Sequence, residues 1–125
     1  MHIPFHITDW NNLPATRTPG ETGFALNRTR QYGDLRVRLV EYSANYKADH
    51  WCTLGHILLC LEGELDTELK DGTTVHLSAG MSYQVTDGAS SHRSTTKGGA
   101  RLFIVDGGFL RRKEPFLNPG LLTAF

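Results

Sequence analysis

Glu64-Leu-Asp-Thr-Glu-Leu-Lys70, the pair Asp71-Gly72 and Thr73-Thr-Val-His-Leu-Ser78 decide the fold class. Leu65, Thr67 and Leu69 fall on one side of an extended chain and Glu64, Asp66, Glu68 and Lys70 on the other, the period-two pattern of a strand with one wet face. Thr73, Val75 and Leu77 repeat the pattern after a dipeptide that supplies the positive φ of a tight hairpin turn. Outward from this hairpin, turn signals recur at Gly63, Ala79-Gly80, Asp87-Gly88, Gly98-Gly99 and Gly107-Gly108, roughly every eight to ten residues. Upstream, Leu35, Val37 and Leu39 alternate with Arg36, Arg38 and Val40; downstream, Arg101-Leu-Phe-Ile-Val105 is a further β-type run. No segment of useful length has a helical period, and short helical turns are expected only at Asp9 to Asn12 and after Gly108. The spacing predicts an all-β sandwich or barrel, with a jelly roll among the few architectures that fit 125 residues.

That length describes one domain. Residues 1–20 read as an irregular N-terminal arm, 21–107 as the β-barrel core and 108–125 as an apolar C-terminal tail placed to cover a sheet face or a neighbouring subunit. Thirteen Lys and Arg balance thirteen Asp and Glu, which removes the electrostatic case for nucleic acid. Arg36 and Arg38 read as a solvated strand face, and Arg111-Arg112-Lys113 is too short a basic run to change this. The longest apolar run, Ile57 to Leu61, is far short of a membrane span. The start, MHIPFHITDW, has no basic segment followed by an apolar one, so a cytoplasmic location is expected. Two cysteines, Cys52 and Cys60, make no disulfide framework.

The chemistry concentrates in Asp49-His50-Trp51-Cys52-Thr53-Leu54-Gly55-His56. On an extended strand His50 and Cys52 share a face, and a kink at Gly55 returns His56 to it. Imidazole and thiolate together suit zinc, copper, iron or nickel, and not calcium or magnesium. Cys60 shares parity with His56 and Leu58 in an apolar strand and reads as a small core residue. His2, His6 and His76 read as non-ligands.

At these residues the chain resembles the cupin superfamily, whose first motif is G-x5-H-x-H-x3/4-E-x6-G and whose second is G-x5-P-x-G-x2-H-x3-N. Aligned on Gly63, His56 takes the place of the motif glutamate, Cys52 that of the second histidine and His50 that of the first, with Ala44 for the leading glycine. In the second motif Gly80 leads to Thr86-Asp87-Gly88, with Thr86 for the proline, and His92 arrives one residue late. The resemblance is closer to the small bacterial DHCW-motif cupins, through Asp49-His50-Trp51-Cys52, Gly55-His56, Leu61-Glu-Gly-Glu-Leu65, Gly80-Met-Ser-Tyr83, His92-Arg93-Ser94 and Leu102-Phe-Ile-Val-Asp106. The order here is His-Trp-Cys, not the His-Cys-Trp of the label.

The resemblance implies a double-stranded β-helix with one divalent transition metal in the barrel mouth, zinc favoured and iron or nickel possible, on His50, Cys52, His56 and His92. Tyr83, Arg93 and Glu62 are the candidates for roles beside the metal. The resemblance supplies no substrate; the function expected is binding or transformation of a small polar organic molecule at the metal, with dioxygenase, isomerase and lyase chemistries all compatible. Two alternatives stand beside it: a saturated, non-catalytic metal or ligand-binding module, and redox sensing through Cys52. Small cupins of this kind pair through their sheets, so a homodimer is expected.

Overall fold

The computed structural model describes residues 1–111; the apolar segment 115–125 of the expected tail lies outside the described residues. Among the described residues nine strands form a curled antiparallel array: β1 (Thr16–Pro19), β2 (Phe24–Tyr32), β3 (Leu35–Tyr42), β4 (Tyr46–Lys47), β5 (His56–Leu69), β6 (Thr74–Ser78), β7 (Ser82–Val85), β8 (His92–Thr96) and β9 (Ala100–Gly107). Short 3-10 turns stand at Trp10–Asn12 and Gly108–Leu110, at both expected places. The arm is not wholly irregular, because β1 pairs with β2 as an edge strand. Pro19 closes that strand, where a missing N–H is tolerated.

One sheet runs β1-β2-β3-β9-β5 with β7 on the far side of β5; the other is β6-β5-β8-β4. β5 belongs to both. Its first half, from His56, pairs with β7 and β9, and its second half, from Glu64, pairs with β6 and β8. The change of sheet falls at a bulge between Cys60 and Glu62 and at Gly63. Gly63 has φ +78°, and a Cβ there would lie 2.2 Å from the Gly99 carbonyl oxygen, so only glycine fits the bend.

The hairpin expected at Asp71-Gly72 forms with Leu65 opposite Leu77 and Thr67 opposite Val75. Leu65 and Thr67 are buried, while Glu64 and Asp66 are exposed. The core comprises Leu58, Cys60 and Leu65 of β5, Leu102 and Ile104 of β9 and Val40 of β3, among others, with Tyr42, Tyr46 and Tyr83 packed against it. Cys60 is fully buried, as its parity predicts.

Arg36 and Arg38 overturn the expectation of a solvated face. They share inward parity with Val40 and line the barrel cavity, and Leu35 and Val37 turn outward instead. Alternation fixes that the two sets oppose each other; it does not say which one faces in. The register decides it, setting Arg36 opposite Asp106, Arg38 opposite Ile104 and Val40 opposite Leu102. The barrel lining is therefore apolar toward Leu102 and becomes polar toward one end, where Arg36, Arg38, His56 and Asp106 converge. Among the described residues, no helix is long and apolar enough to cross a membrane.

Candidate metal centre

Residues 48–55 do not form a regular strand. Cys52 alone makes a two-way bridge to His92, Cys52 N–H to the His92 carbonyl at 2.8 Å and the reverse at 3.0 Å. This pair sets the thiol and the imidazole side by side across the strands. His56 begins β5, and Gly55 before it is held by its N–H donating to Asp87 Oδ1 at 2.6 Å. A Cβ on Gly55 would stand 2.3 Å from the Val85 carbonyl oxygen and 2.7 Å from the Asp87 nitrogen. Close approach of two backbones thus explains this glycine. Gly55→Ala is expected to cost about 1–3 kcal/mol, the range for overpacking, and to displace His56; unchanged thermal unfolding and metal uptake would contradict this.

Cys52 Sγ, His56 and His92 each offer a ligand atom within 4.8 Å of the others, and both histidines are buried. His56 donates from Nδ1 to Asp106 Oδ2 at 3.0 Å and turns Nε2 toward Cys52 Sγ at 3.4 Å. His92 donates from Nδ1 to the Ser90 carbonyl at 2.9 Å, which leaves Nε2 buried and without a hydrogen-bond partner. Nδ1 of both rings is thereby committed to an acceptor, and Nε2 of both faces the cluster. An acceptor fixed on one ring nitrogen is the usual way a protein orients a histidine ligand. The orphaned Nε2 and the mixed nitrogen and sulfur donors fit a borderline or soft divalent cation.

Asp106 is 6% exposed at its side chain and accepts from Arg36 Nε at 2.8 Å, Arg36 Nη2 at 3.1 Å and Arg38 Nη2 at 2.9 Å as well as from His56. Burial by itself would raise its pKa, but these hydrogen bonds and guanidinium charges outweigh it and hold the carboxyl well below the usual range. Burial likewise opposes ionisation of Cys52, yet the two imidazoles bring its pKa down to about 5. In the metal-free protein the Cys52–His56 contact is a thiolate–imidazolium pair, and a cation would take the place of its shared proton.

His50 is not brought into this cluster. Its side chain is 75% exposed and Nδ1 is 2.6 Å from Asp49 Oδ1, although it lines the same cavity. The shared face expected for His50 and Cys52 requires a strand, and the chain bends at Asp49 and His50. Glu62 lies outside the barrel, 71% exposed and 3.8 Å from Arg101, because the bulge after Cys60 breaks the parity that would turn it inward. Tyr83 lines the cavity with its ring 5.8 Å from that of His92, and burial raises its pKa, so its phenol keeps its proton. Arg93 also lines the cavity, over the Trp51 ring and 3.6 Å from Glu68. Asp106 is the residue sequence reasoning missed. It is fifty positions from His56, and although it closes the Leu102-Phe-Ile-Val-Asp106 block of the resemblance, its local signal is only an acidic residue at an inward position of an apolar strand.

No protein-family model matches the chain, and neither does any curated protein. Solved structures do share its fold. A cupin-2 domain protein from Shewanella frigidimarina is 19% identical, with 66% of this chain and 79% of that one covered and a TM-score of 0.54. Ectoine synthase from P. lautus is 16% identical over 82% of this chain and 78% of that one, with a TM-score of 0.65. Fe(II)-HppE with an alternative substrate is 17% identical over 82% and 60%, with a TM-score of 0.66. The chain has the cupin fold, the double-stranded β-helix expected from its sequence.

Proposed function

We propose that this cupin-fold protein binds one divalent transition metal through Cys52, His56 and His92, and binds or transforms a small polar organic molecule at it. The observation that carries the reading is His92 Nε2, a buried lone pair with no partner, aimed at a thiol and a second oriented imidazole. Zinc suits this donor set best, with iron and nickel as alternatives; Fe(II)-HppE, which shares the fold, holds iron. Three protein ligands leave a coordination position for water or a substrate, the arrangement of catalytic zinc sites. In the saturated alternative His50 swings in from the rim as a fourth ligand. A bound cation would polarise a carbonyl or carboxylate oxygen, with the Tyr83 phenol as a proton-bearing neighbour. Two copies paired through their sheets complete the proposal, supported by partly exposed Ile57 and Leu61 on the outer side of β5.

Elemental analysis of protein purified without an affinity tag should find about one metal per chain, and chelation should change which thiol reacts. Cys52, half-buried and ionised, should be alkylated rapidly in the metal-free protein and protected on adding zinc. Cys60, whose burial raises its pKa, should stay unreacted until unfolding. Equal alkylation of Cys52 with and without zinc, together with no metal in the purified protein, would overturn the reading.

A further inference from the structure

The cavity beside Cys52, His56 and His92 has a volume of ≈ 540 Å³, the size that encloses a small organic molecule. Its lining is rich in guanidiniums, of which Arg93 has Glu68 at 3.6 Å and Arg36 and Arg38 share Asp106. Among the described residues that form it are Arg36, Arg38 and Arg93, and none is an aspartate or a glutamate. Asp106 stands at the edge of this array and is one carboxylate for two guanidiniums. A positive surplus so enclosed is costly unless an anion joins it. Arg38 is the better placed of the pair facing Asp106. Its side chain is 17% exposed against 37% for Arg36, and its Nε is buried with no hydrogen-bond partner. A buried guanidinium N–H without an acceptor is a vacancy in the hydrogen-bond inventory that water or a ligand must fill. The inward face of β2 offers uncharged partners: Thr29, opposite Arg38 in the register, and Asn27, opposite Val40.

We propose that the cavity takes a small organic acid, with one carboxylate paired to the Arg38 guanidinium while a second oxygen of the same molecule reaches the position left open by Cys52, His56 and His92. The second contact rests on the metal-binding reading above; the first does not. The planar fork of a guanidinium matches a carboxylate, and the pairing is stronger at a largely buried side chain such as Arg38 than in bulk water. A neutral molecule would leave Arg38 Nε unpaired, and a cation would meet three guanidiniums.

The test is isothermal titration of the zinc-loaded protein at low salt with succinate and with its neutral counterpart succinamide. Succinate should bind at least about tenfold more tightly, because a charged hydrogen bond contributes roughly 1.5–3 kcal/mol. Arg38→Gln, titrated at saturating zinc, should weaken succinate by about ten- to a hundredfold. Since Arg38 also holds Asp106, Thr29→Glu is the second variant. It sets an internal carboxylate next to Arg38 with the Asp106 pairs intact, and it should abolish the preference for succinate. Equal binding of acid and amide, or succinate binding indifferent to both variants, overturns the proposal, as would inorganic phosphate binding as tightly as succinate. Preference for succinate over succinamide in a protein that takes up no zinc would instead support the Arg38 contact and overturn the metal reading.

Discussion

His92→Ala is expected to fold and to lose its metal. In the metal-free protein the imidazole carries a buried Nε2 with no partner, a cost of about 1–3 kcal/mol. Its removal relieves that cost while opening a small cavity, and the two effects oppose each other. The metal-free variant should therefore lie within about 1 kcal/mol of the metal-free wild type. With zinc present the two proteins should part. A ligand at a thousand times its dissociation constant stabilises by about 4 kcal/mol, which for a chain of this size is roughly 15 °C in melting temperature. Wild type should show that shift, and His92→Ala should not. Affinity should fall by more than the roughly 10–100-fold that follows from losing an orienting partner alone. A zinc-dependent shift of wild-type size in His92→Ala would remove His92 from the site.

Asp106→Asn should be the most destabilising single change at the polar end of the barrel. Removing the negative member of a buried ionic cluster strands the positive ones. Arg38 is largely buried and Arg36 partly exposed, so the expected loss is about 3 kcal/mol, near the low end for a broken buried pair. The pH profile separates this from a packing defect. The folded pKa of Asp106 lies below its unfolded value near 4. Its contribution is therefore fully present above that value and is lost as pH falls from there toward the folded pKa. The variant should be less stable than wild type at neutral pH, and the gap should narrow as the solution is acidified below about pH 4. A gap constant with pH would assign the loss to packing. The amide would also hold His56 less firmly, so zinc affinity should drop by about 10–100-fold.

The residues that were legible from the sequence are those whose neighbours along the chain determine them. The hairpin at Asp71-Gly72 shows its alternation, turn and wet face within fifteen residues, and Cys60 declares itself by parity in an apolar strand. β2 is not legible in the same way, because Asn27, Thr29 and Gln31 alternate with Arg28 and Arg30, and polarity on both faces conceals a strand that borders a polar cavity. Strand parity turns His50 and Glu62 inward, and parity fails where the chain bends, at Asp49 and His50, or gains a residue, after Cys60. Arg36, Arg38 and Asp106 depend on register between β3 and β9, seventy positions apart in the chain for Arg36 and Asp106. Local patterning carries no information about which residues oppose each other at that distance.

Because β5 passes from one sheet to the other without a break, neither sheet has a private hinge. Opening the β6 and β8 side tugs on the strand that begins at His56, and releasing β9 frees the strand that holds Leu65 in the core. The two faces of the barrel thus share one strand, and the His56 imidazole at its mouth is positioned by the strand whose other end carries Leu65 into the core.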